Sequence, residues 1–321
     1  MRIFLLLVSG MWFNLCWGSV HTCPSASPSF PCDVSFPDAM VTNINTIYIP
    51  FTLVGRLMIV QAGVDTFTGN FIVDTGSERL LLNQDYVPFT GREKLVTAVG
   101  NTGSLSVKEK LVDSLYLDQL YVTNVMAHLV DLNHIEVKKN TRILGILGYN
   151  VFEKFELFID YQNRLIVLSR VDRRGTRMDS IAYYELPYDS MSFDLKKHLI
   201  VVPVNINGVR TEMILDSGAE LNLIDRRISK RVLGQFTIIK RVNLVGVGKH
   251  QVEVIAGTIN QASCGNQEAK NMNTLLTSLD EINSSFGVSV EGVLGYEFLN
   301  SRRTLINYQK RKLYFFRFVR S

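Results

Sequence analysis

The sequence predicts an all-β protein made of two similar lobes. Three observations predict this fold class: the chain is 321 residues long, β-branched and apolar runs dominate it, and its second half repeats its first. A chain of this length exceeds what a single hydrophobic core usually supports. Hydrophobic residues make up 46% and charged residues 20% of the chain, as in ordinary globular proteins.

The internal repeat has two parts. Residues 74–83 align with residues 216–225 at an offset of 142, and residues 143–168 align without a gap to residues 290–315 at an offset of 147. The identities in the second part, numbered in the first copy, are Gly145, Leu147, Gly148, Tyr149, Ile159, Tyr161, Gln162 and Arg164. Ordered identities over an ungapped window indicate two equivalent halves.

Each copy of the first part is predicted to lie in a turn directly after a buried strand. Apolar residues 47–60 lead through a glycine-bounded turn to a second apolar run that ends at Asp74. In the second copy, residues 199–204 form an apolar strand, and Asn207-Gly208 is a strong type I′ hairpin signal before the run that ends at residue 216. Helical patterns are sparse.

The helical pattern that does occur predicts one helix near residues 271–282. The polar stretch 172–180 is typical of a linker between lobes. The predicted segments are a signal peptide at 1–18, an N-terminal segment at 19–45, the first lobe at 46–171, the linker at 172–180, and the second lobe at 181–321.

The N-terminus has the pattern of a secretory signal peptide. Arg2 precedes a mostly apolar stretch that runs to Trp17, and the small residues Gly18 and Ser19 follow. The apolar run is shorter than the ~20 residues that a membrane-spanning helix needs. We therefore expect a secreted or periplasmic protein with no membrane span after signal cleavage. Lipid attachment at Cys23 is not expected, because the preceding residues match that signal poorly.

The duplicated aspartates suggest acid–base chemistry by a pair of carboxyl groups. Two carboxylates held within hydrogen-bond distance cannot both ionise readily, so Asp74 and Asp216 would share one proton. The ionised partner can take a proton from water while the neutral partner donates a hydrogen bond to a carbonyl. One aspartate cannot do both, which explains why the motif is duplicated.

The residues that follow each aspartate suit the same chemistry. Thr75 and Ser217 place a hydroxyl beside each carboxyl group, where it can brace the two turns. Gly76 and Gly218 permit a tight turn and a close backbone approach.

Asp-Thr-Gly and Asp-Ser-Gly, each after an apolar strand and followed about 75 residues later by an apolar-Leu-Gly segment, resemble the pattern of retropepsin-like and pepsin-like aspartic peptidases. The resemblance covers most of residues 46–321, and the lobes are similar to those of exported bacterial peptidases. It implies two retropepsin-like β-barrels with the active site between them. It also implies a monomer with an internal pseudo-two-fold axis, a peptide or protein substrate, and no cofactor.

The resemblance implies roles for individual residues. Asp74 and Asp216 would bind and activate the catalytic water, supported by the hydroxyl and glycine residues beside them. The cleft would be closed by glycine-containing hairpin flaps, with the implied positions at Gly100, Gly103, Gly246 and Gly248. The sequence departs from the family at the flaps, which lack the tyrosine of pepsins. Glu78 and Glu220 also replace the usual residue. Contact with the substrate backbone and pairing with a nearby arginine are both open to them, and we expect the pairing.

Other functions fit the sequence less well. A peptidase-like fold without activity, which binds peptides or inhibits, remains the alternative. Phosphoaspartyl transfer is disfavoured because no second aspartate follows either motif at the required spacing. The histidines show no metal-ligand spacing, so we expect no metal. The net charge of +4 and the absence of a basic stripe argue against nucleic acid as a partner.

Overall fold

The computed structural model describes residues 40–43, 45–88, 95–100, 103–179, 186–245 and 251–318. In these residues strands predominate and all helices are short, which confirms the all-β prediction. No helix in these ranges is long and apolar enough to cross a membrane. The predicted signal peptide at 1–18 and the glycines Gly246 and Gly248 lie outside the described residues.

In the part that the structure describes, the first half of the chain carries twelve strands and two helices. In chain order they are β1 (Met40–Asn43), β2 (Thr46–Pro50), β3 (Thr52–Val54), β4 (Leu57–Val64), β5 (Phe67–Val73), β6 (Leu80–Asn83), β7 (Leu95–Gly100), β8 (Gly103–Leu117), β9 (Leu120–Val130), α1 (Asn133–Lys139), β10 (Gly145–Leu147), α2 (Tyr149–Phe152), β11 (Phe155–Asp160) and β12 (Leu165–Arg170).

Among the described residues, the second half repeats this order of strands from β3 onward and has one more short helix. Its elements are β13 (Asp189–Ser192), β14 (Asp194–Lys196), β15 (Leu199–Ile206), β16 (Val209–Leu215), β17 (Asn222–Asp225), α3 (Lys230–Leu233), β18 (Phe236–Val245), β19 (Gln251–Cys264), β20 (Gln267–Thr277), α4 (Asp280–Phe286), β21 (Gly292–Leu294), α5 (Tyr296–Leu299), β22 (Arg303–Asn307) and β23 (Lys312–Phe316).

Each half forms a closed six-stranded barrel. In the first barrel the hydrogen-bonded order is β4-β5-β10-β6-β9-β8, and pairing of β4 with β8 closes it. In the second the order is β15-β16-β21-β17-β20-β19, closed by β15 and β19. The strands occupy matching positions, so the two predicted lobes share one topology.

A short central strand in each barrel lies beside the strand that leads to the acidic turn. β10 runs parallel to β5, with Leu147 opposite Val73. β21 runs parallel to β16 in the same way, with Leu294 opposite Leu215. The Leu-Gly segment that recurs in the sequence therefore emerges next to each aspartate.

A third, seven-stranded sheet joins the two barrels. Its order is β1-β2-β12-β11-β22-β23-β13, so it contains strands from both halves of the chain. The halves meet where β11 pairs antiparallel with β22, with Phe158 opposite Leu305. Phe158 and Leu305 are buried together with Val167 and Phe316. The largest buried cluster of the protein also draws on both halves, including Phe152 and Phe298.

Local predictions were right at one turn and wrong at one helix. Asn207 and Gly208 have φ angles of 54° and 72°, as the predicted type I′ turn requires. The helix predicted near residues 271–282 is wrong, because β20 runs to Thr277 and α4 begins only at Asp280.

The cause of this error lies at Asn271, which adopts a left-handed φ of 51° inside β20. Buried positions alternate before this residue and resume one position out of phase after it. Ala269 and Met272 are therefore both buried, three residues apart. That spacing is typical of a helix, although here it results from a strand irregularity.

Candidate active site

The two acidic turns follow directly after the buried strands β5 and β16. Asp74 and Asp216 have no exposed surface. The backbone N–H of Asp74 donates to the carbonyl of Leu147 at 3.0 Å, and that of Asp216 donates to the carbonyl of Leu294 at 2.9 Å. The central strand of each barrel thus holds the start of each acidic turn.

The glycine after each of these leucines allows the turn to pack closely. A Cβ atom on Gly148 would lie 2.4 Å from the carbonyl oxygen of Arg79, and one on Gly295 would lie 2.2 Å from that of Ala219. Real Cβ atoms do not approach backbone oxygens so closely. The recurring Leu-Gly pair is therefore required by contact between two backbones.

The two turns are joined by reciprocal hydrogen bonds. The N–H of Thr75 donates to Ser217 Oγ at 3.1 Å, and the N–H of Ser217 donates to Thr75 Oγ1 at 2.9 Å. Each hydroxyl then donates to a carbonyl of the opposite half: Ser217 to Val73 at 2.9 Å, and Thr75 to Leu215 at 3.4 Å. All of these groups are buried, so the turns are held together without competition from water.

This arrangement brings the two carboxyl groups together. The N–H of Gly76 donates to Asp74 Oδ1 at 2.8 Å and to Asp216 Oδ1 at 3.1 Å, and so bridges them. The N–H of Gly218 donates to Asp216 Oδ1 at 2.8 Å. The carboxyls are within hydrogen-bonding reach of each other. Each Oδ2 atom is buried and has no hydrogen-bond partner among the described residues.

Gly76 and Gly218 each lie against the carboxyl group of the opposite turn. A Cβ atom on Gly76 would lie 2.5 Å from the carboxyl carbon of Asp216. One on Gly218 would lie 2.5 Å from the carboxyl carbon of Asp74. Only glycine leaves room for the carboxyls at both positions.

Burial makes ionisation of both carboxyl groups unfavourable. It raises the pKa of Asp216 well above its ordinary value, and the charge of Asp74 beside it raises it further. Burial also raises the pKa of Asp74, although hydrogen bonds from Asp216 and from the N–H of Gly76 oppose this. Groups coupled this closely titrate as a pair. The pair is therefore suited to hold one proton between two oxygens.

A turn from each half crosses to the acidic motif of the other half. The turn between β3 and β4 contains Arg56. Its backbone N–H donates to Glu220 Oε1 at 3.1 Å, and its side-chain Nη1 donates to the backbone carbonyl of Glu220 at 3.2 Å. The turn between β14 and β15 contains His198, whose Nε2 lies 3.1 Å from the carbonyl oxygen of Gly76. Each acidic turn is thus contacted by the opposite lobe.

The contact around Glu220 is ionic. Lys139 forms an ion pair with Glu220, and both side chains are almost fully buried. Arg56 also pairs with Glu297 at 2.7 Å. The carboxylate of Glu220 therefore pairs with a lysine, whereas Arg56 contacts that carboxylate only through its backbone N–H in the bonds described above. Glu78, its counterpart, lies 3.9 Å from Arg79.

The recurring tyrosines also pack across the two halves. Tyr161 packs edge-on against Tyr296 with ring centroids 5.4 Å apart, and Tyr308 packs edge-on against Tyr149 at 5.2 Å. The hydroxyl groups of Tyr161 and Tyr308 are buried without a hydrogen-bond partner in the described part of the chain.

The first predicted flap is a hairpin. Gly100 and Gly103 face each other at the end of the β7–β8 ladder, and β7 lies against α4 of the second lobe. In the second lobe Val245 pairs with Gln251 at the end of the β18–β19 hairpin. The predicted flap glycines of that hairpin fall in residues 246–250, which the structure does not describe.

The sequence did not single out Arg56 or His198. A signal was nevertheless present, because these two residues are related by the 142-residue offset that relates the two aspartates. Their residue types differ, so the alignment shows no identity there. Within the described ranges, no group of three or more His, Cys, Asp or Glu side chains is placed to hold a metal ion.

Comparison with known families agrees with this geometry. Residues 202–298, most of the second barrel, match the model of the family described as Aspartyl protease. No curated protein matched the chain. The family match and the two six-stranded barrels fit a retropepsin-like fold with two lobes.

Proposed function

We propose that this chain is an exported aspartic endopeptidase in which Asp74 and Asp216 together activate the water that hydrolyses a peptide bond. The observation that carries the proposal is the bridge from the N–H of Gly76 to an oxygen of each buried carboxyl group. A single donor shared by two carboxyls requires them to be neighbours. Their raised pKa values favour one shared proton.

The proposed reaction needs one ionised and one neutral carboxyl group. The ionised group takes a proton from water as the water oxygen attacks the scissile carbonyl carbon. The neutral group donates its proton toward the carbonyl oxygen, which gives a tetrahedral diol. Collapse of the diol breaks the C–N bond: the neutral carboxyl group protonates the leaving nitrogen, and one diol hydroxyl passes its proton to the ionised carboxyl group as the C=O bond re-forms. The pair then again holds one proton.

The supporting roles follow from the contacts of the site. The Oδ1 atoms of both aspartates accept backbone N–H bonds, while the Oδ2 atoms are the ones left to contact water and substrate. Thr75 and Ser217 hold the two turns together. The glycine-tipped hairpins, including Gly100 and Gly103, are proposed to cover a bound peptide, in a monomer whose lobes span residues 46–171 and 181–321.

A pseudo-two-fold axis through the joining sheet is part of this proposal. The antiparallel ladder of β11 and β22 places Phe158 opposite Leu305. These two residues are also related by the 147-residue offset of the sequence repeat. A residue that pairs with its own repeat partner in an antiparallel ladder lies on a local two-fold axis.

An inactive peptide-binding or inhibitor module is the alternative. The observation in its favour is the complete burial of both aspartates, since a peptidase must admit substrate to them. The reciprocal bonds of Thr75 and Ser217 and the bridge from Gly76 favour the peptidase. They hold the two carboxyl groups in the arrangement that a shared proton requires.

Replacing each aspartate separately tests the proposal. Asp74→Asn and Asp216→Asn should each abolish cleavage of a broad peptide library, scanned from acidic to neutral pH. An amide is nearly isosteric with a carboxyl group, but it cannot act as the base or as the matched acid. The double variant should be little worse than either single one, because the two groups act as a unit.

The controls are thermal melting curves for every variant and a statine-type inhibitor, which should block the wild-type protein. Cleavage that persists in a folded Asp216→Asn protein would exclude the two-aspartate mechanism. A wild-type protein that binds peptides but cleaves none would favour the inactive module.

Export is a separate part of the proposal and has its own test. The order of a basic residue, an apolar run and small residues predicts a mature N-terminus close to Ser19. N-terminal sequencing of protein from its native host measures this directly. An intact Met1 on cytoplasmic material would show that export does not occur.

A further inference from the structure

The contact between His198 and Gly76 links the second lobe directly to the backbone that bridges the two carboxyls. His198 occupies the turn between β14 and β15, and its side chain is almost completely buried. Nε2 lies 3.1 Å from the carbonyl oxygen of Gly76, in the other half of the chain. The ring packs edge-on against Phe286, with centroids 5.2 Å apart, and lies 6.5 Å from the ring of Tyr149.

The chemistry of this contact determines which ring nitrogen carries the proton. A backbone carbonyl can only accept a hydrogen bond, so Nε2 of His198 must be the donor. Nδ1 is buried and has no partner among the described residues. The ring is therefore a neutral Nε2–H tautomer whose one satisfied polar contact is the Gly76 carbonyl.

Gly76 takes part in two contacts at once. Its N–H bridges Asp74 and Asp216, and its carbonyl accepts the bond from His198. Because a glycine has no side chain to hold it in place, its orientation depends on these backbone bonds. Fixing the carbonyl from the second lobe therefore limits how far the N–H can move from the carboxyls.

The other half of the molecule does not reproduce this contact. Arg56, related to His198 by the 142-residue offset, contacts Glu220 rather than the glycine Gly218. Lys139 of the first lobe forms an ion pair with Glu220 at the same turn. Contact between the lobes thus includes an ion pair at one acidic turn and a neutral hydrogen bond at the other.

We infer that His198 is a positioning residue that acts from the second lobe by holding Gly76, and through it the bridge between the two carboxyl groups. The inference rests on the proposed peptidase function and adds a residue to it. His198 does not contact the reacting atoms.

The inference predicts a specific change in the pH profile. The N–H of Gly76 lowers the pKa of both Asp74 and Asp216. Loosening Gly76 should therefore raise the pKa at which the pair first ionises, and shift the acid limb of kcat/KM to higher pH. The other groups that face the pair are the backbone N–H groups of Ser77 and Gly218 and, through their electrostatic effect, the hydroxyls of Tyr161 and Tyr308. None of these is changed by substitution of His198.

The test compares substitutions that differ in where they place a donor. His198→Phe keeps a ring but has no donor. His198→Gln places an amide N–H near the position of Nε2, and His198→Asn places it near Nδ1. His134→Gln, at an exposed histidine, is the matched control. Peptide cleavage is measured as kcat and KM across pH, with melting curves for each protein and Asp74→Asn as the inactive reference.

We expect His198→Phe to lower kcat about five- to tenfold, the range for loss of one hydrogen bond. KM should change little, and the acid limb should move to higher pH. His198→Gln should keep kcat and the acid limb close to their wild-type values, and His198→Asn should show the same defects as His198→Phe. If His198→Phe does not fold, the comparison of Gln with Asn still decides the question.

A folded His198→Phe protein with wild-type kcat and an unmoved acid limb would overturn the inference, as would equal defects in Gln and Asn variants that both fold. A wild-type protein no more active than Asp74→Asn would instead refute the proposed peptidase function.

Discussion

The buried His198 should make the stability of this protein depend on pH in a measurable way. Burial lowers the pKa of His198 from its usual 6.5 to about 4, because the charged ring would lose its water. In the unfolded chain the same ring has a pKa of about 6.5. As the pH falls from 7, the unfolded state therefore binds a proton that the folded state does not bind until about pH 4. Acid thus destabilises the fold in this window.

The size of the effect follows from the difference between the two pKa values. Each proton bound only by the unfolded state changes the free energy of unfolding by about 1.4 kcal/mol per pH unit. Summed over the partial titration between pH 7 and pH 5, His198 alone should lower the free energy of unfolding by about 2 kcal/mol. That is a substantial fraction of the ~5–15 kcal/mol that stabilises most folded proteins.

The assay compares urea unfolding of proteins with and without His198→Gln, because glutamine does not titrate. Both proteins carry Asp74→Asn, so that self-cleavage at acidic pH does not disturb the measurement. The one remaining carboxyl group of the site, Asp216, titrates in the opposite direction, since burial raises its pKa and so stabilises the fold at low pH. Both proteins share that contribution, so it cancels when their free energies of unfolding are subtracted.

We subtract the free energy of unfolding of the protein with His198 from that of the protein with His198→Gln. This difference should rise by about 2 kcal/mol between pH 7 and pH 5, because only the protein with His198 loses that stability in acid. A difference that stays constant across this range would refute the reasoning. It would mean that His198 is solvated or charged in the folded protein.

Three further predictions concern other buried contacts. Gly76→Ala should abolish cleavage and lower the melting temperature, because its Cβ would lie 2.5 Å from the carboxyl carbon of Asp216. Lys139→Met should lower the free energy of unfolding by about 3–5 kcal/mol by leaving Glu220 buried without its lysine, and adding Glu220→Gln should recover part of this loss in urea unfolding. Burial raises the pKa of the Cys264 thiol to about 12, so mass spectrometry should find Cys264 unlabelled by iodoacetamide until the protein unfolds.

The core of the candidate site could be predicted from the sequence because it depends on short, local patterns. A buried strand that ends in Asp-Thr-Gly or Asp-Ser-Gly specifies a turn, and the repeat indicates that two such turns are equivalent. The Leu-Gly segments could be placed beneath the turns for the same reason. These features need only the order of a few adjacent residues.

The contacts between the lobes could not be predicted in this way. Arg56 and His198 lie in short turns with no local sign of a function. Their contacts with the opposite half form only when the two halves are joined. The repeat did not reveal these two positions, because it places an arginine at one and a histidine at the other.

The wrong helix near residues 271–282 has a related cause. Asn271 and its counterpart Asn124 both adopt left-handed φ angles, of 51° and 57°, in equivalent long strands. Such a residue shifts the alternation of buried side chains by one position. A periodicity argument assumes an uninterrupted strand, so it misassigns strands that contain this irregularity.

The two crossing turns have a consequence for how such a molecule can evolve. In a homodimer built from one lobe, a single codon would specify both turns, and any change would alter both sides of the site at once. Here Arg56 and His198 are encoded separately, so each side can change while the other keeps its contact. A single chain can therefore become asymmetric around a symmetric pair of aspartates, which two identical subunits cannot do.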